Sequence, residues 1–316
     1  MILVVNPNPA VDRVAVVDYR EGASLRPVRF SLWAGGSGVH TAYVAHLLGG
    51  EVLVQGFAGG HSGARFRELL AAQGIAADLV EIAGETRGTY SLLDRERGDL
   101  CNVVEPGPAV TGAEERALEV RVLRRLADAD LMIVSGSVPP GCSIDLPARL
   151  VTAAYRAGVP CIADLAGEAL LTAIPNRPWL IKPSRVEIGE LLGSETVNID
   201  IILPLAMEWL AAGVSNVCVS LDAEGLLWSS GKGVRHIQAP RVPSYNSIGC
   251  GDTLVGALAA RYVQTPDLAG ALQTGVAAAA ANVAYDAPGY CTPEDVERLL
   301  RHVLMRELTL PSFPTR

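Results

Sequence analysis

The segment Asn246-Ser247-Ile248-Gly249-Cys250-Gly251-Asp252-Thr253 sets glycines and one carboxylate directly ahead of a helical pattern. From Asp252 onward, Leu254, Val255, Leu258 and Tyr262 recur with the spacing of one buried helical face. The first N–H groups of a helix lack intrahelical partners and carry the positive end of its dipole, so the backbone of Gly249, Cys250 and Gly251 suits an anion. A carboxylate at the same point can take a proton from an alcohol while those N–H groups neutralise charge on the phosphoryl group under attack. A plainer reading also exists: an acidic first-turn residue favoured by the dipole, and glycines that only turn the chain. The rest of the sequence favours the chemical reading.

Short apolar runs alternate with helix-period segments. Residues 2–5, 52–55, 131–134, 159–163, 180–181 and 217–221 read as buried strands, with helices expected at about 38–48, 62–73, 112–127, 145–157, 184–192 and 200–212. This predicts an α/β fold: a mostly parallel sheet covered by helices on both faces, which places ligands at the carboxyl ends of its strands. Thr111-x-x-Glu114, Ser184-x-x-Glu187 and Thr292-Pro293-Glu294 resemble capping boxes, the last with proline at N1. The Ala277–Ala281 run belongs to a helix expected to end near Asp286-Ala287-Pro288-Gly289.

Two stretches break the rhythm. Residues 13–33 and 87–106 read as β-ribbons with polar or charged turns, forming a small sheet that acts as a lid on a main unit of residues 1–12, 34–86 and 107–316. The exposed face of such a lid needs a cover. A second subunit, giving a homodimer through the lid, is one candidate; a lid closing on its own domain is the other.

At 316 residues and 49% apolar, the chain can bury a large core. Its net charge of −8 argues against nucleic acid or an anionic membrane as main partner, so any cationic site is local. The six cysteines have neither C-x-x-C nor His-paired spacing, which predicts no zinc site and no disulfide framework and suits a reducing cytoplasm. No run approaches the ~20 apolar residues that span a bilayer, so a soluble, unexported protein is expected. Gly231-Lys232 is followed by Gly233 and opens no helix, and the first strand leads to Asn6-Pro7-Asn8-Pro9, so both the Walker A loop and the G-x-G-x-x-G fingerprint are absent.

The ordered set Asn8-Pro9-Ala10-Val11-Asp12, Gly35-Gly36-Ser37-Gly38, Ser135-Gly136-Ser137-Val138-Pro139-Pro140-Gly141 and Gly249-Cys250-Gly251-Asp252 resembles the ribokinase-like (PfkB) carbohydrate kinases over nearly the whole chain. With Glu85-Thr86-Arg87 and Glu105-Pro106-Gly107-Pro108, it is most similar to the branch holding 1-phosphofructokinase and tagatose-6-phosphate kinase. The resemblance implies a Rossmann-like domain with a β-lid, ATP as donor, Mg²⁺ as bridging ion, K⁺ as a further candidate ion, and a sugar or sugar-phosphate hydroxyl as acceptor. By the same resemblance Asp252 is the general base and Gly249, Cys250 and Gly251 form the anion hole. Asp12 bonds sugar hydroxyls, and Gly35, Gly36 and Gly38 let the chain pass close to the sugar. Lys182, Ser184, Ser220, Asp222 and Gly225 fall beside the nucleotide phosphates, Glu187 orders the metal's water shell, and Asn282 packs near adenine.

The branch reads G-G-K-G-x-N where this chain has Ser37 and His40, which removes a cation and an amide from the acceptor pocket. Arg26 and Arg87 are candidates to bind an acceptor phosphate, or are solvated lid charges. A neutral His40 bonds a sugar hydroxyl, or is a helix residue without a role. Ser184 stands for the family's Asn, though the capping box explains both it and Glu187. Asp222 replaces a glycine and adds negative charge near ATP. Cys250 is either a thiol of lowered pKa at a helix N-terminus or a small filler. Three functions follow: phosphorylation of a ketohexose monophosphate, phosphorylation of a free sugar or nucleoside, and ligand binding or regulation on a kinase scaffold.

Overall fold

Ile2, Leu3, Val4 and Val5 are all fully buried, yet Ile2 and Val4 pack into one apolar cluster while Leu3 and Val5 pack into another. A strand sends successive side chains to opposite faces, so an unbroken apolar run needs cover on both sides. The computed structural model, which describes residues 1–19, 22, 24–94, 100–243 and 245–308, supplies that cover.

The elements begin β1 (Ile2–Asn6), β2 (Ala10–Val17), β3 (Arg29–Gly35), α1 (Ser37–Leu47), β4 (Val52–Ala58), α2 (Gly60–Ala72), β5 (Ala76–Glu81), β6 (Arg87–Asp94) and β7 (Leu100–Val104). They continue α3 (Gly112–Leu126), β8 (Leu131–Ser135), α4 (Leu146–Ala157), β9 (Cys161–Asp164), α5 (Gly167–Ala173), β10 (Leu180–Ile181), α6 (Arg185–Leu192) and α7 (Ile199–Ala211). The last third holds β11 (Asn216–Ser220), β12 (Leu226–Ser230), β13 (Gly233–Gln238), α8 (Cys250–Gln264), α9 (Leu268–Asn282), α10 (Pro293–Leu300) and β14 (Leu304–Leu308).

Among the described residues the large sheet runs β14-β13-β12-β11-β10-β9-β8-β1-β4-β5. It is parallel from β11 to β5 and antiparallel from β11 to β14. Helices α1, α2, α8, α9 and α10 contribute to the cluster on one face, and α3 to α7 to the cluster on the other. The chain moves outward from β1 to β4 and β5, then returns to β8 on the opposite side of β1. That reversal opens a crevice at the carboxyl ends of β1 and β8.

The small sheet has the order β3-β2-β6-β7, with β2 and β6 parallel and the other pairs antiparallel. β2 joins it at Ala10, so Asp12, expected on the main unit, stands opposite Thr89 in the small sheet. The turn expected between β6 and β7, residues 95–99, lies outside the described residues. Phe30, Tyr90 and Val103 are all exposed on this sheet.

Several expectations shift. β9 begins at Cys161, because Gly158 ends α4 in the left-handed region and Val159 bonds back to Ala154. Gly231 and Lys232 form the turn between β12 and β13. α9 stops at Asn282, short of Asp286. Thr292 caps the N–H of Asp295, so Asp295 and not Glu294 occupies the N3 position. Strands β5, β12, β13 and β14 and helix α5 were not anticipated. The capping boxes at Thr111 and Ser184 are both present.

On α3, Leu118 is fully buried whereas Val120 is 45% exposed. Leu118→Ala should therefore cost about 2–5 kcal/mol in urea denaturation. Val120→Ala, two residues away on the same helix, should stay within about 0.5 kcal/mol.

Candidate active site

Helix α8 starts without a side-chain cap. Gly249 occupies the N-cap position at φ 73°, and a Cβ there would lie 2.4 Å from the backbone nitrogen of Gly289. Only glycine meets both demands. The turn ahead of the helix is held from beneath by Asn282, which is fully buried. Its Nδ2 donates to the Ile248 carbonyl at 2.9 Å, and its Oδ1 accepts from the Tyr290 N–H at 2.9 Å and the Thr253 hydroxyl at 3.2 Å. Asn282 thus shapes the turn ahead of α8 and is not among the residues lining the cleft, whereas Val276, Ala279, Ala280 and Val283 are.

Cys250, Gly251 and Asp252 open onto a cleft of about 1230 Å³. Ser37, Lys182, Ser184, Glu187, Ser220, Asp222 and Gly225 line the same cleft, so the strand exits bring these predicted residues together. Lys182 follows β10, is 5% exposed, and places Nζ 3.2 Å from Asp164 Oδ1. A Cβ on Gly251 would lie 3.2 Å from that ammonium, which puts the cation beside the α8 N-terminus. Burial pulls the Lys182 pKa down, but Asp164 and Glu187 more than offset this and keep it charged. Asp222, with φ 52°, adopts the left-handed conformation that suits the glycine it replaces.

Asp164, at the end of β9, was not anticipated. Burial raises its carboxyl to about 6 against the opposing pull of Lys182, with Asp252 and Glu187 adding to the rise. Its Oδ2 accepts from the Ser135 hydroxyl at 3.2 Å. The only sequence signal for it was an acidic residue closing the apolar run 159–163.

Glu187 Oε2 accepts the Ser184 N–H at 2.6 Å, so the capping box engages one oxygen and leaves the other. Among the described residues no group of three or more His, Cys, Asp or Glu gathers as a metal site. The Asp164 and Glu187 carboxylates that line the cleft are hard oxygen donors, the kind of ligand Mg²⁺ takes.

Behind the cleft, His40 on α1 is 7% exposed and Asp12 on β2 is 4% exposed. His40 Nε2–H donates to Asp12 Oδ2 at 2.7 Å, and Nδ1–H donates to Asp252 Oδ2 at 2.9 Å. Burial alone would lower the imidazole pKa, but the two carboxylates raise it to about 10. His40 is therefore an imidazolium, not the neutral sugar ligand of the sequence reading. Burial likewise works to raise the Asp12 carboxyl, while His40, Thr89 and Arg87 hold it below the ordinary carboxylate range. Thr89 donates its hydroxyl to Asp12 Oδ1 at 2.6 Å.

The early glycines serve this network. A Cβ on Gly35 would lie 2.1 Å from the Asp12 carboxylate, and Gly36 and Gly38 pack against Asn6. Gly36 is also the N-cap of α1. Arg87 bonds the carbonyls of Asn8, at 3.0 and 3.2 Å, and Glu105, at 3.0 Å. It is a tie between backbone segments, and Arg26 is exposed. Burial raises the Cys250 thiol to about 11 despite the Asn282 contact, so the low-pKa reading of this cysteine does not hold.

This arrangement, an uncapped helix start, an adjacent carboxylate and a buried ammonium on a ribokinase-like fold, defines the sugar kinases. Residues 7–295 match the pfkB family carbohydrate kinases, and the chain belongs to that family. It is 28% identical to 1-phosphofructokinase of Vibrio cholerae over 99% of this chain and 98% of that one. It is 29% identical to ATP-dependent 6-phosphofructokinase isozyme 2 of Escherichia coli, covering 93% and 96%. Among solved structures, phosphofructokinase-2 from Escherichia coli in complex with potassium superposes with a TM-score of 0.87 at 28% identity, over 95% of this chain and 98% of that one. A ligand-binding scaffold without catalysis is thereby set aside.

The charged bridge has a pH signature. Because the folded pKa of His40 is raised, its stabilising contribution is complete below about pH 6.5, declines above it, and is gone beyond about pH 10. His40→Asn should lower the urea midpoint at neutral pH, and the gap to the wild type should narrow steadily toward about pH 10. A gap that does not change with pH would show that the ring is neutral.

Proposed function

We propose that the protein transfers the γ-phosphoryl group of ATP to a hydroxyl of a ketohexose monophosphate, as 1-phosphofructokinase or tagatose-6-phosphate kinase would. The observation that supports this most is the placement of Asp252 in the first turn of uncapped α8, at the rim of the cleft and beside Lys182. The α8 backbone N–H groups face the transferring phosphoryl group, and Lys182 lies across its oxygens. Asp252 takes the hydroxyl proton, and the strand exits at Ser220 and Asp222 receive the remaining phosphates. The acceptor is held by Asp12. Glu187 and Asp164 would hold the water shell of a bound Mg²⁺, which would supply charge neutralisation for the donor phosphates. Potassium is a further candidate ion, since the Escherichia coli structure contains it.

A second reading, with an unphosphorylated sugar or nucleoside as acceptor, is favoured by the engagement of Arg87 with backbone carbonyls and by Ser37 in place of a lysine. The discriminating assay is ADP release with Mg²⁺ and K⁺ across fructose 1-phosphate, fructose 6-phosphate, tagatose 6-phosphate, free fructose, ribose and nucleosides. Turnover with the phosphorylated ketohexoses supports the first reading; turnover confined to free sugars or nucleosides supports the second. Asp252→Asn should keep the fold and ATP binding while turnover drops by about three or four orders of magnitude. Near-normal turnover in that variant would sink the assigned base.

The six cysteines are free, which accords with work in the cytoplasm. We also assign the apolar outer side of the small sheet to a second copy of the chain. Sedimentation should find a dimer, and Tyr90→Asp should shift it toward monomer; a wild-type monomer would overturn the assignment.

A further inference from the structure

Three elements meet at one imidazole. Asp12 belongs to β2 of the small sheet, His40 to α1 of the large domain, and Asp252 to α8. The ring donates to both carboxylates, at 2.7 and 2.9 Å, and the free oxygen of Asp12 is fixed from the neighbouring strand β6 by Thr89 at 2.6 Å. An imidazole is rigid, so a shift at one ring nitrogen is delivered to the other. A side chain with donors at two ends of one plane cannot follow Asp12 and leave Asp252 where it was.

We propose that His40 is a positioning residue that ties the lid strand carrying Asp12 to the catalytic helix, so that seating the acceptor against Asp12 sets the aim of Asp252. The proposal rests on the reading of Asp252 as the base. Oδ2 of Asp252 is occupied by His40, which leaves Oδ1 for the incoming hydroxyl. In the transfer the acceptor O–H bond breaks and its proton passes to Asp252 Oδ1. The acceptor oxygen bonds the γ-phosphorus while the bond from that phosphorus to the bridging oxygen breaks, its electrons leaving with ADP. His40 keeps both ring protons throughout. Its charge stabilises the two carboxylates before transfer, and its geometry excludes orientations of Asp252 in which Oδ1 faces away from the acceptor.

Two variants and their combination test the tie. His40→Gln leaves a neutral amide that presents a donor at only one end. With fructose 1-phosphate or whichever acceptor the assay identifies, kcat should fall by about tenfold to a hundredfold while the KM for ATP stays within about twofold. Thr89→Val alters the support of Asp12 and lies three hydrogen bonds away from Asp252. It should nonetheless lower kcat, and should lower it no further in the His40→Gln background, because both variants break one chain of contacts. If Thr89→Val changes only the acceptor KM, or if the two kcat effects add, the tie does not exist.

A readout that needs no turnover separates this from failure of the kinase reading. With histidine labelled with nitrogen-15, His40 should show both ring nitrogens protonated at about pH 8, and Thr89→Val should move the resonance of the Asp252-facing nitrogen. A neutral ring in the wild type, or an Asp252-facing resonance unmoved by Thr89→Val, overturns the proposal whether or not phosphate transfer is observed. Should wild-type protein phosphorylate nothing while these shifts appear, the kinase reading fails and the mechanical tie stands.

Discussion

A buried carboxylate, Asp12, and a partly exposed one, Asp252, can stand on either side of one ring because a single imidazolium donates to both. Removing an ion from water costs several kcal/mol, and a second ion of like sign nearby adds to the cost unless a counter-charge intervenes. Asp12 is 4% exposed and Asp252 stands at the cleft rim, so solvent alone cannot screen the first. His40 supplies charge and hydrogen bonds together, and much nearby construction makes room for it. Gly35 has no side chain because any Cβ would enter the Asp12 carboxylate, and the backbone of Gly289 runs so close to His40 that a Cβ there would lie 2.5 Å from its own Cβ.

The phosphate turn rests on a different device. A helix N-terminus attracts anions only while its N–H groups remain uncommitted, and five of the ten α-helices among the described residues commit theirs to a side-chain cap, at Thr111, Ser184, Asn198, Asp267 and Thr292. α8 has glycine at that position. Its geometry must then be fixed from outside the turn, which is what Asn282 does by bonding Ile248, Thr253 and Tyr290 at once. Polar atoms that look like ligand contacts in a sequence are here the mould in which the ligand contacts are cast.

The parallel sheet was legible because β1, β8 and β11 are short, nearly unbroken apolar runs rich in Val, Ile and Leu, too short for buried helices. β13 and β14 were not: their exposed and half-buried positions carry Arg235, His236, Arg306 and Glu307, which hide the strand pattern. Within the site, the turn at residues 249–252, Lys182 and the capping box at Ser184 could be read because each is local in sequence. The role of His40 could not, since its partners lie 28 and 212 positions away. Arg87 likewise has partners distant in sequence: it bonds the carbonyls of Asn8 and Glu105, which the sequence does not reveal.

A chain of net charge −8 that binds a polyanion cannot rely on its overall field. Backbone dipoles solve the problem because they attract negative charge without adding an ion that must itself be desolvated or balanced. Lys182, a buried cation in the cleft, is paired with Asp164, so that it is not an isolated charge. An arriving phosphate then competes with Asp164 for the ammonium. Burial raises the Asp164 carboxyl while Lys182 pulls it down, so each group depends on the other for its charge.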